Sequence, residues 1–456
     1  MNYSFWADEA YISGIASQLV TGKYSILQAF NALSYQKLYV LVLATFFKLL
    51  GISEFTARLP SILIFLIGII VMFFLAKKLS NVYGGLLSAF LYGFSHLNLA
   101  YATQAKPYAA IETILLIILY LLTNKKINHL LIILLCTIAT LLHSIGVFIW
   151  IVYFVYFVLT LKRWNVGTLF ALFLVAIIGS ILILPIVLSS IGGGKIFLYN
   201  NSYQLIKLFV YKYSFISTCA FFGYVWLFKK HKTLSIAILV YSVVVLFMAG
   251  FRAYIFNIRY VLTIFGIIFL YFGIFWAKVG EKYKKNFQFD GRSIIPIIVI
   301  IILYTTGYKM VRWPQAYYNP NIDKYGDVQI ANYKNFYSRL KKQFPDYKNL
   351  YVINDTFDVE YWYFGRYSNA YFMKFTPKPY KHHTANAMIY GSLEDFKKIM
   401  KDHPQGLLIM EDWESFLPED IKQYAKKNLK LEIRVENLKE APDDPWPLAL
   451  YSWGSP

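Results

Sequence analysis

The sequence predicts a polytopic α-helical membrane protein that ends in a soluble α/β domain, and three observations carry that expectation. Apolar residues make up 58% of the 456-residue chain and charged residues only 15%, whereas a soluble domain is nearer half apolar and a quarter charged. Apolar runs of about 17–25 residues, the length a bilayer requires, recur as far as Trp313. Beyond Trp313 they stop, and short helical and strand patterns alternate.

The chain opens with Phe5-Trp6-Ala7-Asp8-Glu9-Ala10, an adjacent carboxylate pair just before the apolar series. Acidic side chains at a membrane boundary are costly to desolvate, which favours a working role. A solvated acidic start is the plain alternative. Tyr11 to Gln36 is mildly polar. The run from Leu38 to Leu50 carries Lys48, is too short to span, and reads as an amphipathic helix on the membrane surface. A first span is expected from about Arg58 to Ala76. Further spans are expected near 83–100, 108–123, 129–143, 145–161, 165–190, 206–228, 233–250, 260–277 and 293–310, about ten in all.

The formal net charge is +20, yet the cations sit in short clusters between apolar runs. That pattern is a topology signal met by anionic lipid head groups, and it argues against a nucleic-acid partner. Lys77-Lys78, Lys125-Lys126, Lys162-Arg163, Lys229-Lys230 with Lys232, and Lys278 through Arg292 fall in alternate connections. By the positive-inside rule these are cytoplasmic, leaving both termini and Asp8-Glu9 outside. The Lys-, Asn- and Tyr-rich composition suggests an AT-rich bacterium, and the expected location is its cytoplasmic membrane. Aromatics make up 19% of the chain, with 39 Tyr and 10 Trp, as interfacial belts and sugar-stacking surfaces require. Cys136 and Cys219 lie in apolar spans and support neither a disulfide framework nor a zinc site. No basic-then-apolar leader precedes Asp8.

The expected division is a membrane domain over residues 1–312 and an extracytoplasmic α/β domain over 313–456. In the latter, Tyr333–Phe344, Leu393–Lys401 and Pro418–Lys426 read as helices, and Leu350–Asn354, Leu407–Met410 and Leu431–Val435 as strands.

The topology gathers polar residues on the outer side: Asp8, Glu9, Lys37, Glu54, Arg58, Gln104, Lys106, Tyr108, His143, Arg252, Arg259 and Tyr260. Carboxylates suit a general base, and Lys and Arg suit a phosphate leaving group. The motifs around them resemble the GT-C superfamily of glycosyltransferases, in particular the relatives of protein O-mannosyltransferases and of the aminoarabinose transferase acting on lipid A. Phe5 to Ala10 resembles that family's first-loop Trp-x-Asp-Glu-Ala. The stretch Gly51-Ile52-Ser53-Glu54-Phe55-Thr56-Ala57-Arg58-Leu59-Pro60-Ser61 resembles Gly-x-Ser-Glu-Phe-x-x-Arg-Leu-Pro-Ser. Tyr101 to Tyr108 resembles Tyr-x-x-Glu-Ala-Arg-Pro-Tyr, and Arg259-Tyr260 resembles the Arg-Tyr that opens a late span.

The resemblance implies an inverting transfer of a sugar from a polyprenyl or dolichyl phosphate carrier to a lipid, glycan or protein acceptor on the outer face. Asp8 would take the acceptor's proton, and Glu9 would position it. Lys37, Lys106 and Arg259 would attend the carrier phosphate. Gln104, Tyr108, His143 and Tyr260 complete the expected substrate set. There are departures. Gln104 and Lys106 replace the family's acid and arginine, and Gln36 stands where some relatives place a metal-binding glutamate, which argues against a divalent metal. Relatives also carry a transmembrane helix before the Asp-Glu loop, so either the start is internal to a longer gene or this member lacks that helix.

Other features read more plainly. His143 suits a helix-end contact, and Arg58 suits an interfacial anchor beside Glu54. Glu112 suits a buried structural acid as well as a working one. Gly192-Gly193-Gly194-Lys195 lacks the Ser/Thr and spacing of a phosphate loop. His382-His383 lacks partners for a metal site. The rival function is a transporter or flippase of a lipid-linked or anionic substrate, which would place ionisable groups near the midplane on repeated, broken helices.

Overall fold

The computed structural model describes residues 4–33, 36–161, 200–252, 258–287, 296–297, 299–300, 331–382, 384–412, 416–436 and 447–454. Two compact units emerge. One comprises Met1–Ser34, Val40–Ala57 and Ala316–Pro456, and the other Tyr35–Tyr39 and Arg58–Gln315. Membership is therefore not linear along the chain, because the first 34 residues share a unit with the C-terminal region.

The described helices before residue 288 are α1 (Ala7–Val20), α2 (Ile26–Asn31), α3 (Lys37–Leu50), α4 (Glu54–Leu79), α5 (Val82–Phe94), α6 (His96–Ala102), α7 (Tyr108–Leu122), α8 (His129–Leu142), α9 (Ile149–Thr160), α10 (Ser202–Ile206), α11 (Ser214–Lys230), α12 (Lys232–Phe247) and α13 (Leu262–Phe287). Among the described residues, three helices are long and apolar enough to cross a bilayer: Glu54–Leu79, Lys232–Phe251 and Ile258–Lys282. Ser202–Lys212 with Ser214–Lys230 makes a fourth if the pair, bent by 88°, counts as one span. Val82–Phe94, Tyr108–Leu122, His129–Leu142 and Ser144–Thr160 are apolar but shorter.

The shortening has local causes. The expected span over 83–100 stops at Ser95, whose hydroxyl accepts from the Asn98 N–H at 3.5 Å and caps α6 instead. The expected span over 206–228 is broken at Tyr213, between a π-helical turn over Lys207–Lys212 and α11. Residues 165–190 lie outside the described residues, as does most of 293–310.

Small residues set the bundle's packing. A Cβ at Gly273 would lie 2.0 Å from Ser88 Oγ and 2.6 Å from the Gly84 carbonyl, so α5 and α13 meet backbone to backbone, as small residues allow in membrane helices. The contacts also fix directions. Gly85 meets Phe73 and Lys77 while Gly93 meets Ile69, so α4 and α5 are antiparallel. Ser88 reaches Leu270 while Gly84 faces Ala277, so α5 and α13 are antiparallel too. Ser61 donates to the Lys106 carbonyl at 2.7 Å and Thr113 to the Ile64 carbonyl at 3.1 Å, so α4 and α7 are parallel. Hence α4, α7 and α13 all start at one end of the bundle. α11 advances alongside α13, with Tyr213 on Phe265 (4.9 Å) and Trp226 stacked on Phe275 (5.7 Å), and finishes at the opposite end.

In the other unit, β1 (Tyr351–Asn354), β2 (Ala370–Phe372), β3 (Tyr380–Lys381), β4 (Met388–Tyr390), β5 (Gly406–Glu411), β6 (Lys430–Val435) and β7 (Leu448–Trp453) form a sheet ordered β3-β4-β2-β1-β5-β7-β6. Strands β4, β2, β1 and β5 are parallel, and β7 runs antiparallel between β5 and β6. Their helices are α14 (Tyr333–Gln343), α15 (Glu360–Tyr363), α16 (Leu393–Asp402) and α17 (Glu419–Asn428). Ile353, Phe372, Phe396, Leu408, Met410, Ile421 and Trp453 pack as one core. Ser392 starts α16 by accepting from the Asp395 N–H at 3.1 Å, with Glu394 and Asp395 favoured at the positive end of the helix. All six expected C-terminal elements are present, each within two residues of its expected bounds.

Two acidic arrangements hold this domain. Glu360 is fully buried and accepts from Asn354 Nδ2 (2.7 Å), the Ser368 N–H (3.0 Å), the Ser368 hydroxyl and the Tyr371 hydroxyl. Burial pushes its carboxyl above the ordinary range, and these hydrogen bonds only partly oppose that. Between β1 and β5 the strand connections change direction, the place where α/β sheets commonly bind ligands. Here the Tyr333 hydroxyl of α14 donates to Glu411, and Asp355 Oδ2 accepts from the Glu411 N–H at 3.0 Å.

Candidate functional site

The predicted acids lie in the unit that includes the N-terminal segment. Asp8 and Glu9 occupy the first turn of α1, where negative charge is favoured by the helix dipole. Glu9 is 2% exposed, and its Oε2 accepts from the Trp6 N–H at 3.4 Å, which caps the helix start. Asp8 is partly exposed. Phe5 anchors the turn, its N–H donating to the Tyr363 hydroxyl and its ring lying 4.9 Å from Trp362, which also stacks on Phe47 at 5.8 Å. Tyr363 in turn donates to Glu54 Oε1 at 2.7 Å, and Lys334 pairs with Glu54 Oε2 at 3.4 Å. The aromatic flanks of the Asp-Glu pair thus fix the first turn while Asp8 retains access.

The predicted cations and substrate residues lie in the helical unit. Lys106 and Gln104 sit in the tight turn before α7, where the Lys106 N–H donates to the Gln104 carbonyl at 2.8 Å. The Ser61 hydroxyl donates to the Lys106 carbonyl and its oxygen sits 2.7 Å from the Tyr39 hydroxyl. Since Ser61 has one O–H, Tyr39 is the donor to it. This relay ties the first turn of α3 and the start of α4 to the Lys106 loop. Lys106 and Arg58 are 3% and 5% exposed, whereas Lys37, the first residue of α3, is exposed. Gln36, buried at 4% exposure with φ of 72°, precedes it in a left-handed conformation rare for a non-glycine residue.

Rings extend the same end of the bundle. Tyr101 meets Tyr108 edge-on at 5.5 Å, and Tyr108 lies 5.3 Å from the His143 ring. His143 Nδ1 accepts from the Ile145 N–H at 3.1 Å, capping the turn Ser144–Phe148. That bond leaves Nε2 to carry the proton of the neutral ring. Arg259 and Tyr260 form the short turn before α13, with the guanidinium 5.6 Å from the Tyr260 ring centre, at the end where α4 and α7 begin. Glu112 lies one turn below Tyr108, 1% exposed, and a Cβ on Gly266 would approach its Oε1 to 2.7 Å.

Gln104 stands out chemically. It is 3% exposed, and among the described residues neither its amide oxygen nor its nitrogen has a hydrogen-bond partner. A buried unpaired polar group costs about 1–3 kcal/mol, so this amide suits a polar ligand.

The structure therefore brings Gln104, Lys106, Tyr108 and His143 together, and sets Arg259 and Tyr260 at the same end. Sequence reading missed Tyr39 and Tyr101 as members and gave Ser61 no role. Ser61 lay inside a quoted motif, and no signal in a single sequence pairs Tyr39 with a serine 22 residues away. Among the described residues, no three His, Cys, Asp or Glu side chains gather as a metal-binding group. Gly192 to Lys195, and His383, lie outside the described residues.

No protein-family model matches the sequence, and no curated protein does either. Solved structures do match. ArnT from Cupriavidus metallidurans in the apo state is 12% identical with a TM-score of 0.61, covering 100% of this chain and 96% of that one. The same protein bound to undecaprenyl phosphate matches at 11% identity and a TM-score of 0.58, over 100% and 95%. An oligosaccharyltransferase from Archaeoglobus fulgidus, tethered to an acceptor peptide, matches at 8% identity and a TM-score of 0.54, with 90% of this chain and 65% of that one covered. ArnT, an aminoarabinose-lipid A transferase, and the archaeal enzyme are both GT-C glycosyltransferases, and this chain has their fold.

Proposed function

We propose that the protein is an integral-membrane glycosyltransferase of about ten spans that moves a sugar from a polyprenyl or dolichyl phosphate carrier to an acceptor on the outer face of a bacterial cytoplasmic membrane. The observation that supports this reading best is the buried Gln104-Lys106 turn, with an unpartnered amide beside a fixed cation, in a chain of GT-C fold. Undecaprenyl phosphate bound to ArnT and dolichol-phosphate bound to the archaeal enzyme make a lipid phosphate the natural donor class. The acceptor is a lipid, glycan or protein hydroxyl or amine.

In this reading the acceptor heteroatom attacks the anomeric carbon from the face opposite the phosphate, and configuration inverts. The bond from the anomeric carbon to the phosphate oxygen breaks, and its electron pair leaves with the carrier phosphate. Asp8 accepts the acceptor's proton, and Glu9 keeps the first turn of α1 in place. Lys106 and Arg259 stabilise the charge growing on the phosphate, with Lys37 at the same task from the start of α3. Gln104 hydrogen-bonds the sugar or phosphate, and Tyr108, His143 and Tyr260 shape the pocket. The C-terminal domain is extracytoplasmic. The reaction as written draws on no metal.

The test uses purified protein in lipid with a panel of radiolabelled polyprenyl-phosphate sugars, comparing wild type with Asp8→Asn. Asn keeps the shape and hydrogen bonding but cannot accept the proton. Turnover that the variant loses almost entirely supports both the reaction and the base. Turnover that persists moves the base elsewhere. Labelled lipid crossing the bilayer with no transfer would replace this reading with a transporter.

A further inference from the structure

The opposite end of the helical unit holds a cavity of about 190 Å³ lined by Leu79, Trp226, Ile274 and three lysines, Lys229, Lys230 and Lys278. Its lining divides by chemistry. Leu79 and Ile274, at 4% and 1% exposure, give an apolar floor. Lys229 and Lys230 are exposed at the end of α11. Lys278 sits at the rim from α13, paired with Glu281 Oε2 at 2.6 Å, and Asn81 donates to the other oxygen of Glu281 at 2.7 Å. Three ammonium groups against one carboxylate leave the rim positive. Trp226, partly buried and stacked on Phe275 at 5.7 Å, also lines the cavity and adds an amphipathic ring of the kind that favours a membrane interface.

A small inorganic anion would satisfy the lysines and leave the floor wet. A neutral lipid would cover the floor and leave the lysines unmatched. A ligand that meets both demands carries a phosphate on an acyl chain. We propose that this cavity binds the head group of an anionic phospholipid, its phosphate among Lys229, Lys230 and Lys278 and its proximal acyl chain on Leu79, Ile274 and Trp226. The lipid bridges the ends of α4 and α11 to α13. The 19 residue steps from Arg259 to Lys278 span roughly 28 Å at 1.5 Å per step, so the cavity is separate from the proposed transfer site. Lys229, Lys230 and Lys278 also belong to the basic connections that read as cytoplasmic.

The experiment titrates the full-length protein in detergent with phosphatidylglycerol carrying brominated acyl chains and follows quenching of tryptophan fluorescence. The difference between wild type and Trp226→Phe isolates the signal of Trp226. Expected is saturable quenching of Trp226 at lower concentration than brominated phosphatidylcholine needs. A Lys229→Gln/Lys230→Gln protein should require roughly 25-fold more lipid, about fivefold for each lysine near an anionic surface. Lys278→Gln should shift the curve in the same direction. Equal quenching by phosphatidylcholine, or curves unmoved by the double substitution, would overturn the proposal. So would a Trp226→Phe protein quenched as much as wild type, since the bromines would then lie elsewhere. Displacement of the lipid by millimolar inorganic phosphate would reassign the cavity to a soluble anion.

Discussion

The two ends of the helical bundle carry the same residue types in opposite circumstances. Where α4, α7 and α13 begin, Arg58 and Lys106 are 5% and 3% exposed. Where α4 finishes, Lys77 and Lys78 are exposed to solvent. A solvated lysine costs the fold almost nothing, whereas a buried cation is tolerated only when something nearby, or something that arrives, meets its charge. The C-terminal domain repeats the contrast with acids. Glu360 is buried beneath four dedicated donors, while Asp412, its own side chain 6% exposed, meets Lys422, Lys426 and Arg434, of which Lys426 and Arg434 reach solvent. Burial with fixed partners marks the charges on which function or stability turns.

The largest expected effect tests the bundle ends directly. Lys106→Met should lower sugar transfer by about 10²–10³-fold, the usual size for a pre-placed group facing transition-state charge. Lys77→Met, which removes only an exposed cation lying 5.8 Å from the Phe73 ring centre, should change transfer less than twofold. Turnover of one polyprenyl-phosphate sugar by both variants makes the measurement. Equal losses would break the comparison, because a general membrane effect would then explain both.

Next in size is Glu360→Ala, which leaves the Asn354 amide, the Ser368 N–H and hydroxyl, and the Tyr371 hydroxyl without their acceptor. The expected cost is about 3 kcal/mol, since several buried donors are orphaned together and the terms are not additive. Hydrogen exchange at β1 and β2 amides reads it. An effect below that of the Asp412 substitution described below would mean that dedicated burial is not what matters here.

Ser61→Ala should cost about 2 kcal/mol by removing the hydroxyl that links the Tyr39 hydroxyl to the Lys106 carbonyl in the buried relay. Because the relay holds the Lys106 loop, KM for the lipid donor should rise more than kcat falls. Ser61→Thr, which retains the hydroxyl, should recover most of the loss.

How much of this was legible in the sequence follows the range of each signal. The six expected C-terminal elements were readable because each is amphipathic or apolar over a short stretch. Helix α16 even announces itself through Ser392 and the acids after it. Strands β2, β3, β4 and β7 were not: the first three are two or three residues long, and the place of β7 between β5 and β6 is set by partners far along the chain. Span lengths were overread where a capping serine such as Ser95 ends a helix inside an apolar run, since hydropathy is blind to hydrogen bonding. Gln104, Lys106 and Tyr108 were singled out through the family resemblance of the stretch Tyr101 to Tyr108. The Tyr39–Ser61–Lys106 relay is a tertiary contact, and one sequence carries no trace of it.

The smallest expected effect depends on pH. Burial alone would raise the Asp412 carboxyl, but Lys426, Arg434 and Lys422 outweigh it and hold the group below its usual range. A depressed folded pKa makes the carboxylate's contribution complete above the unfolded value of about 3.9, and that contribution is lost as pH falls through the folded value. Its partners Lys426 and Arg434 are themselves 45% and 39% exposed, so solvent and salt screen the network. Asp412→Asn should therefore cost only about 1 kcal/mol at pH 7, measured by hydrogen exchange over β5 and α17. The gap from wild type should begin to shrink as pH drops below about 4, where the unfolded chain's carboxylate takes up a proton first, and close as the native carboxylate follows at lower pH, and it should also narrow in molar salt. A gap that stayed constant from pH 7 to pH 3 would show that Asp412 acts through shape rather than charge, and that the exposure of its partners does not set it apart from Glu360.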